Sequence, residues 1–165
     1  MASVDAGEVE GPLIEVGPSR IQGLGVFARW PIGQGARIVE YVGEIISEEE
    51  GHRRYEDKAM ERHHTFLFGL SDGRCIDGAA EHNLARFINH SCEPNCEAVE
   101  EEAHIWIEAL RPIAVGEELT YDYSYEWVDG DDAAASFYYC RCGAPSCRQT
   151  ILVRQEGITA DAATW

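Results

Sequence analysis

Residues 86–99 read "RFINHSCEPNCEAV", a stretch in which an apolar Phe87-Ile88 pair is followed directly by four chemically different side chains. An amide, an imidazole, a hydroxyl and a thiol stand in a row, contributed by Asn89, His90, Ser91 and Cys92. Pro94-Asn95 then closes the stretch, and both residue types favour turns. The pattern predicts a polar turn held against a buried apolar pair, which is a setting suited to binding a ligand or a metal.

The chain has a size and composition typical of one folded domain. Its 165 residues are 45% hydrophobic and 26% charged, and a globule of this length buries roughly 70% of the surface that the unfolded chain exposes. No apolar run approaches the ~20 residues of a membrane span, and the N-terminal sequence lacks the basic and apolar regions of a signal peptide. We expect an intracellular protein that is neither membrane-bound nor secreted, in the nucleus of a eukaryote or the cytoplasm of a bacterium.

The charge of the chain is strongly negative, with 30 acidic against 13 basic residues and a net charge of −17. Such a balance repels a phosphate backbone, so direct binding to nucleic acid is not expected. The acidic runs at 48–50 and 100–102 have two interpretations. They form either a solvated face that keeps the protein soluble or a field that attracts a basic peptide.

Short β-branched or aromatic runs, separated by glycine and proline, predict a β-rich first third of the chain. Residues 25–30 and 36–46 contain such runs. Residues 47–63 predict one exposed helix, because a serine and a glutamate three residues apart form a capping-box pattern in front of a densely charged segment. The sequence "SDGR" at 71–74 predicts a hairpin turn between two strands, since Asp-Gly is a strong turn signal.

The second half of the chain continues the β-rich pattern. A second short helix is predicted within residues 79–89, and the alternation of apolar and polar residues predicts strands at 103–110 and 118–125. Residues 128–136 predict a flexible connector. Residues 137–152 are therefore expected to form an appendage packed on the main domain.

Three cysteines lie close together in "CRCGAPSC", residues 140–147, with C-x-C-x4-C spacing around a tight turn. This compact spacing favours a zinc site over unconnected buried cysteines or, in a reducing compartment, disulfides. Three thiolates leave a tetrahedral zinc one ligand short, and a site with four protein ligands is structural. The candidates for the fourth ligand are Cys75, Cys92, Cys96 and the six histidines. Cys92, in a polar turn, is the best supplier by exposure, whereas Cys75 is expected in the core.

Five stretches together resemble the SET-domain protein-lysine N-methyltransferases, in the order and spacing of that family. They are "GLGVFA" at 23–28, "EYVGE" at 40–44, "RFINHSCEPN" at 86–95, "GEELTYDY" at 116–123 and the post-SET pattern "CRCGAPSC" at 140–147. The resemblance covers residues 20–152. It implies a mostly β fold of small twisted sheets with a few short helices, a knot-like threading past the 86–95 loop, and a zinc-bound post-SET appendage.

The resemblance also implies two bound groups, S-adenosyl-L-methionine and a structural Zn²⁺. The cofactor contacts it implies are Gln22, Gly23, Leu24, Gly25, Phe66, Arg86, Asn89, His90, Tyr121, Arg141 and Leu152. The zinc ligands it implies are Cys92, Cys140, Cys142 and Cys147. The cofactor and a substrate lysine are expected to enter from opposite faces and to meet in a narrow channel. The polar turn would then serve both the cofactor and the metal.

Three tyrosines are expected around the reacting atoms. By resemblance, Tyr123 is the catalytic residue that orients the amine, and Tyr41 lies beside the same centre. Tyr121 occupies a position where the family carries Phe or Tyr, and a tyrosine there implies transfer of only one or two methyl groups. Together with Phe66 and Phe68, these residues are candidates for the channel walls, although tyrosines in half-buried strands also pack as ordinary core. Phe66 departs from relatives that often carry a tyrosine at its position.

The resemblance divides the chain into a SET domain at 11–127 and a post-SET zinc segment at 137–153, joined by the connector at 128–136. The segments 1–10 and 154–165 are expected to be a disordered N-terminus and a tail. The favoured function is methylation of a lysine in a basic protein, with the histone H3 or H4 tail as the leading candidate. The alternatives are a catalytically inactive SET-fold binding module and a methyltransferase of a non-histone protein. No feature of the sequence sets an oligomeric state.

Overall fold

The computed structural model describes residues 11–55, 65–126 and 138–153, and its strands follow the short apolar runs of the sequence. In chain order the elements are β1 (Ile14–Pro18), β2 (Leu24–Ala28), β3 (Arg37–Tyr41), β4 (Glu44–Ser47), α1 (Glu48–Tyr55), β5 (Leu67–Gly69), β6 (Arg74–Asp77), a 3₁₀ helix (Leu84–Phe87), β7 (Asn89–His90), β8 (Cys96–Glu101), β9 (His104–Ala109), β10 (Glu118–Tyr121), β11 (Tyr125–Glu126) and β12 (Leu152–Val153). The predicted mostly β architecture is confirmed.

The strands of the described residues form four small sheets, with the orders β1-β2-β10-β7, β3-β9-β8, β4-β6-β5 and β11-β12. Two pairings are parallel, β10 with β7 and β11 with β12. In the first sheet β10 fills the space between strands from the beginning and the middle of the chain. Because β10 ends at Tyr121 opposite His90, this sheet places the predicted catalytic tyrosines next to the polar turn.

One hydrophobic core supports the strands that carry the site. Alternation along β9 points Ile105 and Ile107 inward, and both side chains are fully buried. Val26 of β2 and Leu119 of β10 face each other across the first sheet and are also fully buried. Burying an aliphatic side chain of this size stabilises the fold by about 1.5 to 3 kcal/mol. These residues hold β2 and β10 firmly at the edge of the site.

Helix α1 begins as the sequence predicts. The Oγ of Ser47 accepts a hydrogen bond from the backbone N–H of Glu50 at 3.2 Å, which satisfies one of the free donors at the helix start. Gly51 lets the helix lie close to β6, since a Cβ at this position would be 3.1 Å from Cys75 Sγ. Helix α1 is described to Tyr55, and the remainder of the predicted helix, to residue 63, lies outside the described residues.

The hairpin predicted at 71–74 is confirmed, because β5 and β6 pair antiparallel around a turn in which Gly73 has a φ of +83°. The second predicted helix is shorter than expected and consists of the 3₁₀ turn at Leu84–Phe87. It ends there because Asn89 and His90 pair with β10 as a strand. Cys75 is buried in β6, as predicted.

The expectations for the N-terminus at 1–10, the connector at 128–136 and the tail at 154–165 all fall outside the described residues. Within the part of the chain that the structure describes, no helix has the length and apolar character needed to cross a lipid bilayer.

Candidate active site and metal centre

A continuous run of aromatic rings lies next to β10. The ring centroids of Tyr41 and Phe68 are 5.4 Å apart, and those of Phe68 and Tyr121 are 6.2 Å apart. Tyr121 lies 5.0 Å from Tyr123, which lies 5.7 Å from Tyr125. These distances are typical of packed aromatic pairs. The structure thus brings together four of the five predicted wall residues and adds Tyr125, which the sequence did not single out.

Two hydroxyl groups in this run are fixed by backbone carbonyls. The hydroxyl of Tyr41 donates to the carbonyl of Phe66 at 2.8 Å, and the hydroxyl of Tyr123 donates to the carbonyl of Ile88 at 2.8 Å. Burial raises the pKa values of Tyr41, Tyr121 and Tyr123 well above their ordinary value. All three are therefore neutral phenols at physiological pH. Phe66 positions Tyr41 through its backbone, so this contact does not need a hydroxyl on its side chain.

The side-chain amide of Asn89 fastens β7 to the loop that precedes β2. Its Nδ2 donates toward four acceptors. These are the carbonyls of Leu24 at 2.9 Å and Gln22 at 3.3 Å, the carboxylate of Glu118 at 2.9 Å and the hydroxyl of Ser19 at 3.1 Å. The amide that the resemblance assigns to the cofactor is thus also the group that holds the 22–25 loop in place.

Two glycines in that loop have different environments. Gly23 adopts a φ of +49°, and no atom lies within 4 Å of the position that a Cβ would occupy. Its backbone is therefore open to the approach of a ligand. Gly25 is crowded, because a Cβ there would lie 2.3 Å from Glu118 Oε1. The 22–25 loop is therefore open at one glycine and closely packed at the next.

The guanidinium of Arg86 lies above the rings of Phe66 and Phe87, at 5.3 Å and 4.7 Å from their centroids. One of its terminal nitrogens donates to the carbonyl of Ala79 at 2.6 Å. Its Nε is buried and has no hydrogen-bond partner among the described residues. A buried donor without a partner is costly, and a polar ligand bound beside Phe66 would satisfy it. The free Nε of Arg86 therefore fits the predicted role of Arg86 and Phe66 in a cofactor pocket.

His90 is buried beside the aromatic run. Its ring meets the ring of Tyr123 edge-on, with the centroids 5.4 Å apart, and its Nδ1 accepts a hydrogen bond from the backbone N–H of Tyr123 at 3.1 Å. Burial lowers the pKa of His90 to about 4 and outweighs the opposing effect of Asp122. The imidazole is therefore neutral at physiological pH.

Four cysteine sulfurs converge at the other end of the polar turn. The Sγ atoms of Cys92, Cys140, Cys142 and Cys147 all lie within 4.8 Å of one another. Cys92 Sγ is 3.7 Å from that of Cys140 and 3.9 Å from that of Cys147. Four sulfurs bound tetrahedrally to zinc at about 2.3 Å are spaced about 3.8 Å apart. The spacing and the donor set fit a structural zinc ion and are too wide for disulfides, whose sulfurs lie about 2.05 Å apart.

The thiols of this cluster differ in acidity. Burial raises the pKa of Cys140 far above its ordinary value. Burial acts in the same direction on Cys142, but hydrogen bonds from the backbone N–H groups of Cys92 and Ala144 outweigh it and lower the pKa of Cys142 to about 6. Metal ligands must be thiolates. Backbone hydrogen bonds at the cluster therefore favour the thiolate form that a cation binds, whereas burial opposes it.

Residues 138–153 are attached to the rest of the described chain beside the tyrosines. The guanidinium of Arg148 donates two hydrogen bonds to the carboxylate of Asp122, at 2.6 and 2.8 Å. Leu152 of β12 pairs with Tyr125 of β11. Leu152 is buried, and this pairing places it, a predicted cofactor contact, next to the aromatic run. Arg141 is exposed between two of the clustered cysteines, and its cofactor contact stays a prediction.

Several residues that shape the site were not predicted. They are Ser19, Glu118, Asp122, Tyr125 and Arg148. Two of them had a local signal, since Glu118 and Asp122 lie inside "GEELTYDY" and interrupt its apolar pattern with carboxylates. Their partners are distant in the chain, because Ser19 and Glu118 are 99 positions apart. Spacing alone does not reveal such pairs.

Comparison with known proteins agrees with this geometry. The SET domain family matches residues 23–124, which is more than half of the chain. "Histone-lysine N-methyltransferase, H3 lysine-4 specific" of Schizosaccharomyces pombe is 41% identical over 140 residues, covering 82% of this chain and 15% of that protein. "Histone-lysine N-methyltransferase trr" of Drosophila melanogaster is 38% identical over 135 residues, covering 79% and 5%. Human "Histone-lysine N-methyltransferase 2B" is 39% identical over 138 residues, covering 79% and 5%.

The chain spans only a small part of each of these relatives, between 5% and 15% of their own length. The matched residues nevertheless include the polar turn and the aromatic run as far as Tyr123. On this match, the chain belongs to the SET-domain family.

Proposed function

We propose that this chain is an S-adenosylmethionine-dependent protein-lysine N-methyltransferase. It transfers one or two methyl groups to the ε-amine of a lysine in a basic protein, with the histone H3 or H4 tail as the leading substrate. The observation that carries the proposal is the buried to half-buried run of aromatic rings from Tyr41 to Tyr125 beside the Asn89-His90 turn. The histone-lysine methyltransferase names of the relatives support the same class of reaction.

The residues that would hold the cofactor surround the polar turn. They are Gln22, Gly23, Leu24, Gly25, Phe66, Arg86, Asn89, His90, Tyr121, Arg141 and Leu152. When bound, S-adenosylmethionine would supply an electrophilic methyl group. The neutral lysine amine would form a bond to its carbon as the bond to sulfur breaks, the sulfur leaving as a thioether and the nitrogen taking the positive charge. The task of the protein is to align the amine and to exclude water. The hydrogen bonds from Asn89 support this role by fixing the 22–25 loop, and the unpartnered Nε of Arg86 supports it by offering a buried donor.

The aromatic run suits a lysine side chain that must arrive without its proton. Lysine has an ordinary pKa of about 10.4 and is protonated at neutral pH. Aromatic walls lower this pKa by removing water, and their ring faces tolerate the cation as it passes. A channel lined by Phe68, Tyr121 and Tyr123 therefore favours the neutral amine.

The tyrosine hydroxyls determine how the amine is held. The proton of the Tyr123 hydroxyl is directed to the carbonyl of Ile88, and that of Tyr41 to the carbonyl of Phe66. Each oxygen is left with lone pairs that accept an N–H of the amine. With its hydrogens held in this way, the amine nitrogen is free to direct its own lone pair at the methyl carbon. Tyr123 and Tyr41 thus orient the nucleophile and do not act as bases, since their pKa values are raised.

Tyr121 is proposed to limit the number of methyl groups. Its ring is buried between Phe68 and Tyr123, where a hydroxyl occupies space that successive methyl groups on the amine would need. The net charge of −17 favours a basic peptide as the substrate and disfavours nucleic acid.

Methyl transfer from labelled S-adenosylmethionine to core histones and to H3 and H4 tail peptides tests the proposal, with mass spectrometry of the product. We expect labelling of a lysine that stops at one or two methyl groups and is lost in Tyr123→Phe. The matched control is Tyr139→Phe, at an exposed tyrosine outside the aromatic run, which should keep full activity. Binding of the cofactor without transfer to any basic protein would instead support an inactive binding module. Transfer only to non-histone proteins would change the substrate and leave the reaction unchanged.

A further inference from the structure

The imidazole of His90 lies between the cysteine cluster and Tyr123, and both of its nitrogens have a neighbour. Nδ1 is 3.1 Å from the backbone nitrogen of Tyr123, and Nε2 is 3.5 Å from Cys92 Sγ. The side chain is only 3% exposed, so water does not compete for either contact. One buried ring thus bridges a predicted zinc ligand and the predicted catalytic tyrosine.

The contact with Tyr123 fixes the position of the imidazole proton. A backbone N–H can only donate, so Nδ1 must present a lone pair to Tyr123. A neutral imidazole carries its single proton on the other nitrogen. Nε2 is therefore the protonated nitrogen, and it faces the sulfur of Cys92.

Asp122 is the charged group that could compete for a proton on Nδ1. Its Oδ1 is 3.6 Å from Nδ1, which is beyond hydrogen-bond distance. The same carboxylate already accepts two hydrogen bonds from Arg148, at 2.6 and 2.8 Å, and one from the backbone N–H of Ser124 at 2.9 Å. Asp122 is satisfied without His90, and the N–H of Tyr123 remains the partner of Nδ1.

We propose that His90 is a positioning residue that donates its Nε2–H to the thiolate of Cys92 and accepts the backbone N–H of Tyr123 at Nδ1. The donated hydrogen bond orients a zinc ligand from outside the coordination sphere, as imidazole and amide donors commonly do around metal sites. The accepted hydrogen bond holds the backbone of the tyrosine that orients the amine. The contact of His90 with Cys92 does not depend on which reaction the protein catalyses. The role of its contact with Tyr123 in catalysis rests on the proposed function.

Long-range ¹H–¹⁵N spectra of the zinc-loaded chain test the tautomer directly, since the two ring nitrogens of a histidine give distinct signals. We expect His90 to be a neutral imidazole protonated at Nε2 at pH 7. A proton on Nδ1, or on both nitrogens, would overturn the proposal. This measurement uses the unmodified protein, so it decides the question even if variants of His90 fold poorly.

Two substitutions separate the contacts. His90→Asn places an amide oxygen near the position of Nδ1 and keeps an acceptor for Tyr123, but it does not reach the sulfur. His90→Gln extends an amide nitrogen toward Cys92 and keeps a donor for the thiolate, but it loses the acceptor. His52→Asn, at an exposed histidine of α1, is the matched control and should behave as the unmodified protein.

The two variants should fail in different measurements. In chelator competition, His90→Asn should bind zinc about 10- to 100-fold more weakly than the unmodified protein. The zinc affinity of His90→Gln should fall by a smaller factor. In hydrogen exchange, the amide of Tyr123 should lose protection in His90→Gln and keep it in His90→Asn. With zinc saturating, His90→Gln should lower kcat for the peptide more than it raises KM.

Unchanged zinc affinity in His90→Asn would overturn the contact with Cys92. Unchanged protection of the Tyr123 amide in His90→Gln would overturn the contact with Tyr123. If the unmodified protein transfers no methyl group, the proposed function fails, while the tautomer, zinc and exchange measurements still decide the role of His90.

Discussion

Replacing Gly25 with alanine would disturb the hydrogen-bond network that fixes the 22–25 loop. A Cβ at this position would lie 2.3 Å from Glu118 Oε1, so the carboxylate has to move. That oxygen accepts hydrogen bonds from Ser19 Oγ at 2.7 Å and from Asn89 Nδ2 at 2.9 Å. Hydrogen bonds to a charged group contribute about 1.5 to 3 kcal/mol each, and water recovers part of this because Glu118 is half-buried. We expect Gly25→Ala to lower the free energy of unfolding by about 2 to 4 kcal/mol.

Urea unfolding of the zinc-loaded protein, followed by circular dichroism, measures this effect. Gly33→Ala is the matched control, because a Cβ there meets no atom within 4 Å, and it should be neutral or stabilising by about 0.4 to 1 kcal/mol. In a Glu118→Ala background the obstructing carboxylate is gone and only Ser19 Cβ, 3.0 Å from the added Cβ, remains close. Adding Gly25→Ala there should therefore cost less than it does in the unmodified protein. Equal stabilities of Gly25→Ala and Gly33→Ala, or an undiminished cost of Gly25→Ala in the Glu118→Ala background, would contradict the role assigned to Glu118.

Other parts of the structure give further tests. Cys147→Ser should reduce the metal content from about one zinc ion per chain to near zero by atomic emission, because a structural site needs all four ligands, whereas Cys75→Ala, outside the cluster, should leave it unchanged. Gly78→Ala should cost about 2 to 3 kcal/mol in urea unfolding and lower methyl transfer, since its Cβ would lie within 2.5 Å of the ring and hydroxyl of Tyr41. Burial raises the pKa of Asp77, but hydrogen bonds from a tyrosine and an arginine outweigh it and hold the pKa below its ordinary value. The stability lost in Asp77→Asn should therefore be about 1 to 3 kcal/mol at pH 7. It should shrink as the pH falls from the ordinary aspartate pKa of about 4, where the unfolded chain takes up the proton, through the lower pKa of the native carboxylate.

Features with a local cause were predictable from the sequence. The hairpin at 71–74 follows from Asp72-Gly73, whose glycine adopts the positive φ that the turn requires. Strand β9 follows from two β-branched residues, Ile105 and Ile107, spaced two positions apart, and the start of α1 follows from Ser47. In each case a few adjacent residues contain the whole physical cause.

Features that depend on distant partners were not predictable in this way. The helix predicted within 79–89 is reduced to one 3₁₀ turn, because pairing with β10 draws Asn89 and His90 into a strand. Exposure alone ranked Cys92 first among several candidates for the fourth sulfur, and it is the fold that brings its sulfur to the cluster. The ion pair between Asp122 and Arg148 likewise exists only because residues 138–153 return to the tyrosines.

The central position of β10 has a consequence for the synthesis of the chain. Ala28 at the end of β2 and Glu118 at the start of β10 are 90 positions apart, so β2 and β7 leave the ribosome well before the strand that fills the space between them. Until then both strands present open edges, which pair readily with other chains. Pairings between such distant segments also form slowly. The yield of soluble protein therefore depends on rapid insertion of β10, and fragments that stop before residue 118 are expected to aggregate.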